Sequence, residues 1–252
     1  MLIENRTVIV TGGGSGLGEA TARHFAKAGA RVAIFDFDAA RGEAVAEEIG
    51  GRAFQVDVAD AGAVESAVAQ VVETLGAPRV AVNCAGIAGA ARVVGREGKL
   101  AIDLFERTIK VNLFGTYNVM SHAARAMSEL EPEGEERGVI VNTASIAFED
   151  GQLGQTAYAA SKGAIASLCL PAARDLAKLG IRVAAIAPGL FNTPMMQGLP
   201  EETTAAITAN IPFPARLGDP GEYAHLAEHI VRNAYINGTT IRLDGSVRLP
   251  PR

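Results

Sequence analysis

The chain has 252 residues, 48% of them hydrophobic and 20% charged, and a formal net charge of −5. That length suits one large domain with a substantial core, and the acidic balance argues against a nucleic-acid surface. No apolar run approaches the ~18 residues that a membrane span requires, and two cysteines cannot build a disulfide framework.

In chain order, Thr7–Thr11 reads as a strand, 17–28 as a helix ended by Gly29, and 31–35 as a second strand. A helix is expected over 39–49, closed by Gly50 and Gly51, and a third strand over 53–56. Helix 63–75 is stopped by Gly76 and Pro78, and 80–83 forms a fourth strand. A stretch without clear periodicity, 88–101, leads into a long helix over 104–130 and an acidic loop over 131–138. A fifth strand is expected over 139–143, a helix over 158–179, a sixth strand over 182–186 and a seventh over 241–243.

The strands are apolar throughout rather than alternating, the pattern of a parallel sheet buried on both faces. Their alternation with helices implies βαβ crossovers. The expected class is therefore α/β: one Rossmann-type domain over 1–252, a doubly wound parallel sheet with helices on both faces.

The first strand runs into a glycine-rich turn, Gly12, Gly13, Gly14, Ser15, Gly16, Leu17 and Gly18, and then into a helix. Such a turn lets backbone approach a pyrophosphate at the helix N-terminus. Asp36 ends the second strand, where an acidic residue hydrogen-bonds the ribose hydroxyls of an adenine dinucleotide. Asp36 could instead cap the next helix, a role open also to Asp38. A carboxylate there repels the 2′-phosphate of NADP, and Phe37 stands where an arginine would favour it. NAD is the expected cofactor.

From these motifs the chain resembles the short-chain dehydrogenase/reductase family. The glycine spacing Gly12-x-x-x-Gly16-x-Gly18 has that family's form. Asp57 and Val58 follow the third strand, and Asn83-Cys84-Ala85-Gly86 follows the fourth, with Cys84 in place of the commoner asparagine. Asn112 lies in the fourth helix, Ser145 after the fifth strand, and Tyr158-x-x-x-Lys162 opens the next helix. Pro188-Gly189-x-x-x-Thr193 follows the sixth strand, with Phe191 between. The motifs stand in family order over nearly the whole chain.

The resemblance implies that Tyr158 is the acid/base of a hydride transfer. Lys162 would assist it and hold the nicotinamide ribose, Ser145 would orient the substrate oxygen, and Asn112 would support a proton-relay water. It also implies that Gly12, Ser15, Gly16, Leu17, Gly18, Asp36, Asp57, Val58, Cys84, Ala85, Gly86, Pro188, Gly189, Phe191 and Thr193 form the cofactor site, with adenine at Asp57 and Val58. Tyr158 and Lys162, four apart on a helix, share a face. A nearby ammonium, with the positive nicotinamide ring, is expected to bring the phenol down from about 10.

His225-x-x-Glu228-His229 matches a zinc-peptidase string, but no third ligand is evident and no metal is expected. Cys169 reads as a small buried hydrophobe, and Cys84 as a packing residue beside adenine.

Gln152, Leu153, Gln155 and the runs 186–191 and 212–220 resemble one subgroup, the short-chain type II 3-hydroxyacyl-CoA dehydrogenases, known also for oxidising hydroxysteroids. That resemblance implies NAD-linked oxidation of a 3-hydroxyacyl-CoA to the 3-oxoacyl-CoA. Ser145, Gln155, Tyr158, Leu190, Met195 and Met196 are the expected substrate contacts, and Leu153 and Leu199 further candidates for an apolar pocket. Alternatives are a 3-oxoacyl-carrier-protein reductase, against which Asp36 argues, a hydroxysteroid or secondary-alcohol dehydrogenase, and a non-catalytic NAD-binding regulator or scaffold. The family resemblance implies a homotetramer. Residues 1–6 carry Glu4 and Arg6 and lack the apolar core of a signal peptide, so a cytoplasmic location is expected.

Overall fold

A computed structural model describes residues 1–197, 202 and 207–251. Its centre is a seven-stranded sheet in the order β3-β2-β1-β4-β5-β6-β7. The strands are β1 (Thr7–Thr11), β2 (Arg31–Asp36), β3 (Arg52–Gln55), β4 (Pro78–Asn83), β5 (Gly138–Thr143), β6 (Ile181–Pro188) and β7 (Thr240–Leu243). Every neighbouring pair is parallel.

Helices α1 (Gly16–Lys27), α2 (Ala39–Ile49), α3 (Ala61–Leu75), α4 (Ile102–Ile109), α5 (Gly115–Ser128), α6 (Thr156–Leu176), α7 (Pro194–Gln197) and α8 (Pro220–Arg232) occupy the connections. Alternate residues of a strand point to opposite faces, and both faces are apolar. Ile9, Ala81 and Ile140 join Val68, Met127 and Cys169 from α3, α5 and α6 in one core cluster. Val8, Val10, Val80 and Val139 join Phe25, Val45 and Ile230 from α1, α2 and α8 in the other. This is why the strands read as continuous hydrophobic runs.

Asp38, Asp60 and Asp219 cap α2, α3 and α8 with their carboxylates, and Gly50 closes α2 at φ 65°. The region expected as one helix over 104–130 is two helices, α4 and α5, joined by a π turn over Lys110–Phe114. The wider turn carries Asn112, whose side chain is fully buried and turned to the preceding loop. Gly115 then passes against Val58 so closely that a Cβ would lie 2.5 Å from its side chain. Segment 88–101 is irregular apart from one 3-10 turn, Arg96–Gly98. Among the described residues, no helix is long and apolar enough to cross a membrane.

Candidate active site

In a parallel sheet whose strand order reverses, the crevice lies beyond the carboxyl ends of the strands at the reversal. Here β1 pairs with both β2 and β4, and the turns following β1 and β4 open a cavity of about 500 Å³.

The glycine turn forms one wall. Gly12 and Gly16 have φ of 64° and 54°, a region costly for other residues. A Cβ on Gly18 would lie 2.1 Å from the Gly12 carbonyl oxygen, so this glycine permits α1 to pack on the turn. Ser15, the N-cap of α1, makes no side-chain cap bond. The first N–H groups of α1 thus remain available to an anion, as a dinucleotide's pyrophosphate requires. Asp36 supports the turn from the side: Oδ2 accepts from Gly14 N–H at 2.8 Å and Oδ1 from Asp38 N–H at 2.9 Å. The capping role falls to Asp38, and two carboxylate oxygens retain further acceptor capacity at Asp36. Arg41, next to this turn, is paired with Asp38 at 3.2 Å.

The opposite wall comes from β5, α6 and the segment after β6. Ser145 caps a 3-10 turn by accepting from Ala147 N–H at 3.2 Å. Tyr158 stands in the first turn of α6, and Lys162 one turn on places its ammonium 5.8 Å from the Tyr158 ring centroid. Lys162 Nζ donates to the Thr143 carbonyl at 2.7 Å. Burial lowers its ammonium to about 8. Burial also raises the Tyr158 phenol above its ordinary value, and the Ser145 hydroxyl pulls it back. The expected lowering involved the positive nicotinamide ring as well as Lys162; in the protein alone burial is the larger influence on the phenol, and Ser145 supplies the opposing one.

Asn112 lies behind the cavity. Its Oδ1 accepts from Ile87 N–H at 2.8 Å, and its Nδ2 donates to the Ile87 carbonyl and to Ser161 Oγ, both at 3.0 Å. Ser161 in turn donates to the Tyr158 carbonyl at 2.7 Å. The loop after β4 and the first turn of α6 are thereby held in one network.

Of the residues singled out from sequence, Gly12, Ser15, Gly16, Leu17, Gly18, Cys84, Ala85, Gly86, Ser145, Gln155, Tyr158 and Lys162 line this cavity. Pro188, Gly189, Leu190, Phe191, Thr193 and Met196 complete the wall beyond β6. Asp36, Asp57, Val58 and Asn112 are not in its lining; Asp57 accepts from Ala59 N–H at 2.9 Å and Val58 is buried against Gly115. Of the residues expected in an apolar pocket, Leu190 and Met196 line the cavity, whereas Leu153 is exposed and stands outside its lining. Leu199 and the side chain of Met195 lie outside the described residues.

Three further residues were not anticipated. Thr143 anchors Lys162, Ser161 couples Asn112 to Tyr158, and Tyr223 from α8 pairs with the Thr143 hydroxyl at 2.6 Å. Ser161 stands next to Lys162 in the motif; Tyr223, 80 residues from Thr143, has no local signal. Cys84 donates to Tyr223 Oη at 3.7 Å, so its thiol faces this buried network rather than only packing beside a ligand. Burial pushes the Cys84 thiol up, and the fully buried Cys169 is raised to about 11 by the same cause. The His225-x-x-Glu228-His229 string is divided among neighbours: Glu228 pairs with His24 and Arg232, and His229 meets Asn233.

The model of the short chain dehydrogenase family matches residues 6–204. The chain is 45% identical to the human protein named 3-hydroxyacyl-CoA dehydrogenase type-2, over 99% of this chain and 97% of that one. It is 46% identical to the Drosophila melanogaster protein of the same name, over 99% of this chain and 100% of that one. A crystal structure of 3-hydroxyacyl-CoA dehydrogenase type-2 from Mycobacterium avium superposes with a TM-score of 0.93 at 45% identity, covering 98% of each chain.

Proposed function

The chain belongs to the short-chain dehydrogenase family, and we propose that it oxidises the carbinol of a 3-hydroxyacyl-CoA to the 3-oxoacyl-CoA, reversibly, with NAD. The observation that carries this reading is the placement of Tyr158, Ser145 and Lys162 on one wall of the cavity whose other wall is the glycine turn. The names borne by relatives matched over nearly their full length support the choice of substrate.

The residues of the glycine turn and the start of α1 would hold the pyrophosphate, Asp36 the adenosine ribose, Lys162 the nicotinamide ribose, and Thr193 the carboxamide. Adenine would lie near Asp57 and Val58. The bound nicotinamide supplies the hydride acceptor. Ser145 donates to or accepts from the substrate oxygen, and Tyr158 removes the hydroxyl proton during oxidation and returns it during reduction. Asn112 keeps the loop after β4 and the first turn of α6 in register around that oxygen, and would support a relay water. Gln155, Leu190, Met195 and Met196 would contact the acyl thioester.

NAD is favoured over NADP by the negative Asp36 and by the pairing of Arg41 with Asp38 at 3.2 Å. Exposed Ile102, Phe105, Phe114 and Tyr117 on and beside α4 and α5 support assembly into a homotetramer. The unpaired Cys84 and Cys169 suit a reducing compartment such as the cytoplasm.

The deciding experiment is the initial rate of NAD reduction with 3-hydroxybutyryl-CoA, beside NADP and a Tyr158→Phe control. Rapid, NAD-specific turnover that the control lacks is expected. NAD binding without turnover would sink the substrate and leave the cofactor reading standing.

A further inference from the structure

After β7 the chain turns at Asp244 and Gly245 and returns across the cavity. Val247 is fully buried with Ile146 and Ile211, and Leu190 and Leu249 pack against them. The Pro250 carbonyl accepts from Gln152 Nε2 at 3.0 Å, and the Pro251 carbonyl from Leu153 N–H at 3.1 Å. At the other end stands Arg242, which donates to Glu149 at 2.6 Å, Asp244 at 2.7 Å, Asp150 at 2.8 Å and the Val247 carbonyl at 3.1 Å. The strap 247–251 is thus fastened on both sides of Leu249.

Leu249 lines the main cavity together with Ile146, Leu190 and Met196, on the wall that carries Ser145 and Tyr158. The loop to which the strap is fastened, Glu149 to Gln152, follows Ser145 within a few residues. Wall and catalytic hydroxyl therefore belong to one hydrogen-bonded unit. A freely hanging tail could swing aside for a bulky ligand; a strap held at both ends cannot do so without breaking those bonds.

We propose that the strap 247–251 is the end wall of the acyl pocket and that Leu249 limits the length of chain accepted there. The inference rests on the acyl-CoA reading above. An apolar chain reaching this wall meets Ile146, Leu190, Met196 and Leu249. A longer chain must displace the leucine or leave its last carbons outside.

The test compares kcat/KM for 3-hydroxyoctanoyl-CoA and 3-hydroxybutyryl-CoA in the unaltered protein and two variants. Leu249→Ala removes three carbons, and each methylene newly buried is worth about fourfold. The octanoyl-to-butyryl ratio is expected to rise on the order of tenfold or more in Leu249→Ala and to fall in Leu249→Phe. Ratios unchanged in both variants overturn the proposal, with thermal melts confirming that both are folded. If the unaltered protein does not oxidise 3-hydroxybutyryl-CoA, the acyl-CoA reading fails by itself. The same ratio is then read with 2-octanol and 2-butanol: opposite shifts in the two variants support the wall, and unchanged ratios or no oxidation of either alcohol overturn it.

Discussion

The ammonium of Lys162 donates to the main-chain carbonyl of Thr143 at 2.7 Å, and both residues are buried. That bond orients the lysine but leaves it desolvated, which is why its ammonium falls from 10.5 to about 8. The folded-state value lies below the unfolded one, so between about 8 and 10.5 the unfolded chain binds more protons. Stability contributed by this group accordingly rises with pH across that window, and the penalty is complete below it.

Lys162→Met should therefore trade activity for stability. The penalty removed at neutral pH is roughly 3 kcal/mol, against about 1 kcal/mol for leaving the Thr143 carbonyl without its donor. Without NAD, the variant is expected to melt higher than the parent at neutral pH, with the gain shrinking as the pH is raised past about 8. NAD reduction should fall at least about a hundredfold. A lower melting temperature at neutral pH would show that burial of the ammonium is not costly.

Tyr158→Phe keeps the ring and removes the proposed proton carrier, so kcat should drop about a thousandfold while the melting temperature holds. The pH profile separates the roles of its neighbours. With Tyr158 as the proposed base, oxidation needs the phenol deprotonated; burial raises its pKa, and Ser145 lowers it. Ser145→Ala should consequently move the alkaline rise in the oxidation rate to higher pH. A profile displaced to lower pH would contradict that assignment.

Asp36→Ala removes the acceptor of two backbone N–H groups, those of Gly14 and Asp38, along with the charge that disfavours a 2′-phosphate. The KM for NAD is expected to rise about tenfold, on the scale of a lost charged hydrogen-bond partner. The ratio of kcat/KM for NADP to that for NAD should rise as well. A KM increase with no change in the ratio would assign Asp36 to the turn alone.

Tyr223 joins an ordered series of bonds: Cys84 to Tyr223 at 3.7 Å, Tyr223 to Thr143 at 2.6 Å, and Thr143 to the Asn83 carbonyl at 2.6 Å. Each group can donate once along this direction. Tyr223→Phe should lower stability by about 1–2 kcal/mol. In chemical denaturation, Cys84→Ala should cost less in that background than in the parent, since the bond it breaks is already gone. Strictly additive costs would mean that the thiol and the phenol do not interact.

The strands were legible because both faces of a parallel sheet demand apolar residues: Thr7–Thr11 was read to the residue, and 53–56 was displaced by one from Arg52–Gln55. The glycine turn was legible too, since Gly12, Gly16 and Gly18 answer to local backbone constraints. The π turn was not. At that turn Asn112 bonds Ile87, 25 residues away, and hydrophobic periodicity records no such contact. The burial that raises Tyr158, the bond from Lys162 to a backbone carbonyl, and the strap over the cavity share this character. Each joins distant segments through groups whose residue type alone would suit many places.

The order of the sheet also has a bearing on how the chain folds. β1 lies between β2 and β4, and its bonds to β4, which join Thr7 to Pro78 and Thr11 to Asn83, span three intervening helices and two intervening strands. Contacts of such sequence separation close slowly, because loop entropy is lost before they form. The cavity, spanning Gly12 to Leu249, can exist only once both halves have docked. The proposed cofactor residues run from Gly12 to Thr193, so during synthesis cofactor capture would wait on most of the chain and would draw the finished fold away from its precursors.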